Sequence, residues 1–150
     1  MTDKTGISIK AVVLGFLTDS GGSIVVGIAY GLVICIGLLI KGVPPDKIVT
    51  HLHGPVIEIP SLFFGFGCTL LGGYVAGRIA KHSEILHGGL VGALGIPLGF
   101  LVCGSLPLWV NIVTFAGLVP AGLLGGHLAK QKHQKPNDVQ PSAPPEATRP

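Results

Sequence analysis

Between Ala11 and Ile40 the chain carries one charged side chain, Asp19, in a run that is otherwise apolar, small or hydroxylic. A helix needs roughly 20 apolar residues to cross about 30 Å of hydrocarbon. This stretch exceeds that, and similar runs recur. The spans predicted are Ile9–Ile40, Ser61–Ala80, Leu86–Ser105 and Leu106–Ala129. A polar stretch, Lys41–Pro60, separates the first two. Only 11% of the 150 residues are charged and 48% are hydrophobic, whereas soluble domains carry about a quarter charged residues. The 24 glycines have no collagen period and lie inside apolar runs, as membrane helices allow. The expected fold class is therefore all-α: a polytopic membrane protein of four transmembrane helices packed as two antiparallel hairpins with glycine-rich interfaces. Residues 131–150, rich in Gln, Lys, Pro and Ser, read as a disordered tail.

The start could pass for a signal peptide, since Lys4 and Lys10 precede the short apolar run Ala11–Leu17. The apolar run resumes at Ile24 and continues to Ile40, where a cleaved signal would give way to a polar mature chain. A retained first span is the reading. The third and fourth spans meet at Cys103–Pro107, where Gly104, Ser105 and Pro107 disfavour helix and predict a tight turn. Basic residues set the orientation. With the N-terminus inside, the inner face carries Lys4, Lys10, Arg78, Lys81, Lys130, Lys132, Lys135 and Arg149, and the outer face only Lys41 and Lys47. Both termini are expected in the cytoplasm. In the outer loop, Pro44-Pro45-Asp46 followed by Gly54 predicts a short helix.

Lipid is as apolar as leucine, so membrane helices associate through close contact of small residues. Gly73 and Gly77 share a face of the second span; Gly88 with Gly92, and Gly95 with Gly99, do so on the third; Gly117, Ala121 and Gly125 do so on the fourth. These are the expected helix contacts, and faces left over suit a homo-oligomer or a membrane-protein partner. Pro97 and Pro120 should kink their helices. A partial repeat, Leu70–Ala76 against Leu123–Ala129, ends an outside-to-inside span in each half.

Asp19 and Asn111 are the candidate intramembrane polar sites. A carboxylate inside a span is costly enough to require a reason. Its neighbours Thr18, Ser20, Gly21, Gly22 and Ser23 resemble a break, so the leading expectation is that Asp19 caps a helix from that break. An ion pair with Arg78 or Lys81 and a proton or ion pathway are the alternatives. Asn111 is expected to hydrogen-bond between helices, with Trp109 as an interfacial anchor.

Metal binding has little support. Cys35, Cys68 and Cys103 lack ligand spacing, and on a helix His51 and His53 would point to different sides. His82 and His87 flank the expected inner turn as ordinary polar loop residues. No cofactor is implied, no basic stripe suggests nucleic acid, and no nucleophile–base pair or paired carboxylate suggests an enzyme. The segment Gly72–Lys81 with Leu86–Gly92 resembles that of small, uncharacterised bacterial four-span inner-membrane proteins, in which GGYxAGRxA leads through a polar turn to LHGxxxG. The Thr18–Ser23 patch is similar too. The resemblance implies a bacterial inner-membrane location and carries no catalytic or binding residues across. The sequence favours a structural or accessory membrane component, with a small oligomeric channel or transporter using Asp19 as the alternative.

Overall fold

The computed structural model describes residues 6–52, 54–102 and 107–134. Among them every regular element is helical: α1 (Ile9–Ile40), a 3-10 turn (Pro45–Lys47), α2 (Ile48–His51), α3 (Pro55–Ala80), α4 (Glu84–Val102) and α5 (Leu108–Gln134). Three of these helices, α1, α3 and α5, are long and apolar enough to cross a membrane, and α4 is a shorter apolar helix.

Helix boundaries differ from the expected spans where local chemistry extends them. α3 begins at Pro55 rather than Ser61, because Pro55 presets the first helical turn and the Glu58 carboxylate accepts the Gly54 amide at 3.2 Å. The polar stretch after α1 therefore ends at Gly54, and Pro60 lies inside a helix. α4 begins at Glu84, two residues earlier than expected. α5 runs to Gln134, with Lys132 and His133 in its last turn, where cations complement the helix dipole. The tail beyond it and most of the break at Cys103–Pro107 lie outside the described residues. The short helix expected between the first two spans is present as the 3-10 turn and α2, stabilised by Thr50 Oγ1 donating to Lys47 O at 2.6 Å.

α1 is one unbroken helix of 32 residues, about 48 Å long at about 1.5 Å per residue. The Ser8 hydroxyl accepts the Ala11 amide at its start, and Gly42 turns the chain at φ +78° after its end. The turn from α3 to α4 uses the left-handed region at two non-glycine residues, Lys81 (φ 57°) and Ser83 (φ 47°).

Close approaches between glycines give the helix directions. A Cβ built at Gly15 of α1 would fall 2.7 Å from Ala76 Cβ and from Gly72 O, and one at Gly72 would fall 2.7 Å from Asp19 Cβ. Further along, Gly22 faces Cys68 and the Tyr30 hydroxyl donates to Ile57 O at 3.2 Å. Residue numbers rise on α1 as they fall on α3, so the two are antiparallel. By the same reasoning α5 runs parallel to α3: Phe66 faces Gly117, Gly73 faces Gly122, and Gly77 faces Ala129. It runs antiparallel to α4, with Gly88 against Gly122 and Gly126, Gly92 against Leu118, and Gly99 against Phe115.

These contacts require glycine. A Cβ at Gly73 would sit 2.5 Å from Gly122 O; at Gly88 or Gly125 it would press on the backbone oxygens of Gly122 and Leu70. Gly95 has more room, with Leu118 methyls at 3.6 Å, and Ala121 is buried. The two copies of the repeat lie alongside each other in α3 and α5. Gly21, Gly27, Gly31 and Gly37 of α1, in contrast, have nothing within Cβ reach.

Candidate functional site

Asp19 lies mid-helix in α1 and is 6% exposed. The small residues around it serve the α1–α3 crossing rather than a break. Thr18 returns its hydroxyl to Leu14 O at 2.8 Å, a local bond that satisfies the side chain without interrupting the helix. The expected helix cap is therefore absent, since the capping residue of α1 is Ser8. The alternative, an ion pair with Arg78 or Lys81, is absent too. Arg78 donates to the Tyr74 hydroxyl at 3.2 Å and stacks 5.8 Å from its ring centre. Lys81 is exposed at the α3 terminus. The partner that Asp19 has is Thr69, whose hydroxyl donates to Oδ1 at 3.0 Å across the α1–α3 interface.

The carboxylate borders a half-open cavity of about 500 Å³ between α1, α3, α4 and α5. α1 contributes Asp19, Ser20, Ser23 and Ile24; α3 contributes Ser61, Leu62, Gly65, Phe66 and Thr69. Gly95, Leu98 and Gly99 of α4 and Val110, Thr114 and Leu118 of α5 complete the lining. Helix register places Asp19, Ser20, Thr69, Gly95 and Leu118 at the end nearer the α3–α4 turn. Ile24, Ser61, Leu62, Gly99 and Val110 stand toward the end that carries α2. The cavity exists because six lining positions on α1, α3 and α4 (Ser20, Ser23, Ser61, Gly65, Gly95 and Gly99) are glycine or serine where larger side chains would fill the space. Its volume is in the range of small-molecule pockets.

Asn111, the second candidate, is half-buried next to Val110 at the start of α5. It is not among the lining residues, so the structure does not bring it to Asp19. Trp109 beside it is 42% exposed. His51 bonds Lys47 O through Nδ1 at 2.9 Å, and His53 lies outside the described residues. Among the described residues no three His, Cys, Asp or Glu side chains converge as a metal site would require.

Two buried polar residues were misread from sequence. His87, taken for a loop residue, is inside α4 and 1% exposed. Its Nε2 accepts the Ser8 amide at 2.9 Å while Nδ1 donates to Ser83 O at 3.0 Å. With His82 Nε2 donating to Gly6 O at 2.7 Å, the two imidazoles tie the start of α1 to the α3–α4 turn. Glu58, within the expected polar stretch Lys41–Pro60, is buried in the first turn of α3. The sequence signal for it was Gly54-Pro55 followed by an acid, a helix-start pattern.

No protein-family model, curated protein or solved structure matches the chain. What it can do must be argued from its own residues.

Proposed function

We propose that the chain is a small, non-enzymatic cation or proton transporter of the bacterial inner membrane, with Asp19 as its binding carboxylate. In this reading α1, α3, α4 and α5 are four spans forming a bundle of two antiparallel hairpins, α1–α3 and α4–α5. Both termini face the cytoplasm, following the excess of Lys and Arg at the α3–α4 turn and around Lys10 and Lys130. The observation that carries the reading is that a nearly fully buried carboxylate borders a cavity and has a hydroxyl, not a cation, as its hydrogen-bond partner. Burial of an ionised carboxylate is unfavourable without a counter-charge or a proton. A site that keeps such a group, with space beside it, is suited to exchanging one.

The test is flux in proteoliposomes. A gradient-driven proton or cation current should appear with the native chain and fall at least tenfold in Asp19→Asn, which keeps the shape and removes the charge. Flux that is unchanged by the substitution contradicts the proposal.

A second reading, a structural or accessory component that packs with itself or with a membrane complex, is favoured by the outer half of α1. There Ile24, Val25, Ile28, Leu32 and Val33 are all more than half exposed, and Gly27 and Gly31 have no neighbour. This reading predicts a discrete oligomer or partner in mild detergent, weakened by Gly27→Leu. Monomers alone in light scattering would remove it.

A further inference from the structure

The cavity has a chemistry that selects its occupant, and we propose that it binds an amphiphilic monocation: a protonated alkyl or aryl amine, with its ammonium on Asp19 and its apolar body between α3, α4 and α5. This inference rests on the transport reading and names the substrate class for the same site.

The cavity is polar at one end and apolar through most of its depth. At the end nearer the α3–α4 turn, Asp19 offers a carboxylate whose Oδ1 already takes the Thr69 hydroxyl. Oδ2 points toward Gly95, lying 4.0 Å from where a Cβ would stand there. Ser20 Oγ, from the next residue of α1, is buried without a hydrogen-bond partner among the described residues. A protonated amine seated at this end would direct an N–H donor to the carboxylate, and charge-assisted bonds of this kind are the strong ones. Beyond that end Ile24, Leu62, Phe66 and Leu98 form most of the wall, with Ser23, Ser61 and Thr114 interspersed, and this surface accommodates hydrocarbon. No Lys, Arg or His is among the described lining residues.

Other occupants fit less well. An anion would meet the carboxylate. A wholly apolar molecule would leave that carboxylate buried and unpaired, the costly arrangement for a charge. A divalent metal ion takes six or more oxygen ligands and usually several carboxylates, and here there is one. A bare small cation would use the polar end and leave most of about 500 Å³ of apolar space unfilled. Pockets of about 300–1,000 Å³ generally enclose organic molecules and are lined by apolar groups with a few placed polar ones.

The test compares N,N-dimethylbenzylammonium with its neutral isostere isobutylbenzene by equilibrium dialysis against nanodiscs with and without the native chain. The ammonium should bind at least tenfold more tightly to the native chain than to Asp19→Asn, while isobutylbenzene binds no more tightly to the native chain than to Asp19→Asn. Gly95→Leu, which fills the cavity and keeps the carboxylate, should abolish binding of both compounds. That second variant provides a check independent of charge removal at Asp19. Ammonium binding that is equal in the native chain and Asp19→Asn, or that survives Gly95→Leu, overturns the proposal. Charge-indifferent binding together with Asp19-dependent proton flux would overturn the amine assignment and leave the transport reading standing. Amine binding that needs Asp19, without any flux, would do the reverse.

Discussion

The contact between α3 and α5 gives the most quantitative prediction. A methyl group at Gly73 would lie 2.5 Å from Gly122 O and 3.1 Å from Gly122 C and Cα. Ordinary contact begins near 3.4 Å, so Gly73→Ala must push the two backbones apart by about an ångström. None of these three atoms belongs to a side chain that could turn away. Overpacking of this kind costs about 1–3 kcal/mol, and here it also removes dispersion contacts along the neighbouring turns, because a small gap already forfeits part of each contact. Alanine's higher helix propensity offsets up to about 1 kcal/mol. The expected result is a net destabilisation of about 1–2 kcal/mol. Gly27→Ala on α1 is the control, since nothing lies within Cβ reach there; it should be neutral or slightly stabilising. Reversible unfolding in mixed micelles, titrated with a denaturing detergent, reads the difference. If Gly73→Ala is as stable as Gly27→Ala, the close helix approach described above is wrong.

Three further outcomes follow from individual contacts. Thr69→Val removes the only hydrogen bond assigned to Asp19 among the described residues and should destabilise by about 1–3 kcal/mol, while Thr69→Ser should retain most of the stability in the same unfolding assay. His87→Leu removes the acceptor of the Ser8 amide, so hydrogen exchange at Ser8 and the first turn of α1 should rise several-fold with the rest of α1 unchanged. In a cysteine-free background, Lys41→Cys should react with a membrane-impermeant maleimide in intact cells and Ser83→Cys should not; the opposite pattern would invert the orientation.

The helical architecture is legible in the sequence because the apolar runs and glycine spacings are themselves the physical cause of membrane helices and their contacts. Gly73, Gly88 and Gly125 were visible as a pattern before they were visible as contacts. The polar residues were harder to read. Thr18-Asp19-Ser20-Gly21-Gly22-Ser23 would weaken a helix in water, where the backbone can bond to solvent instead. In hydrocarbon an unbonded backbone group is too costly, so the helix continues, and the small residues allow α3 to approach at Gly72. Asp19 was legible as a residue needing a reason. Its partner Thr69, fifty positions away, depends on the α1–α3 register and could not be read from spacing. His87 was misplaced because proximity to a turn said nothing of its side chain being covered by Ser8 from another helix. Glu58 was misplaced because Pro60 suggested a helix boundary, whereas the boundary is at Pro55.

The central claim is that the Asp19 carboxyl is reachable from a cavity between the helices rather than sealed in a helix cap or an ion pair. Labelling with a lipophilic carbodiimide, which forms adducts with carboxyl groups accessible from apolar surroundings, measures this directly. Mapping by mass spectrometry should find an adduct on the Asp19 peptide of the native chain, diminished by N,N-dimethylbenzylammonium and absent in Asp19→Asn. An unmodified Asp19, under conditions where a water-soluble carbodiimide modifies Asp46 in the 3-10 turn, would contradict the account.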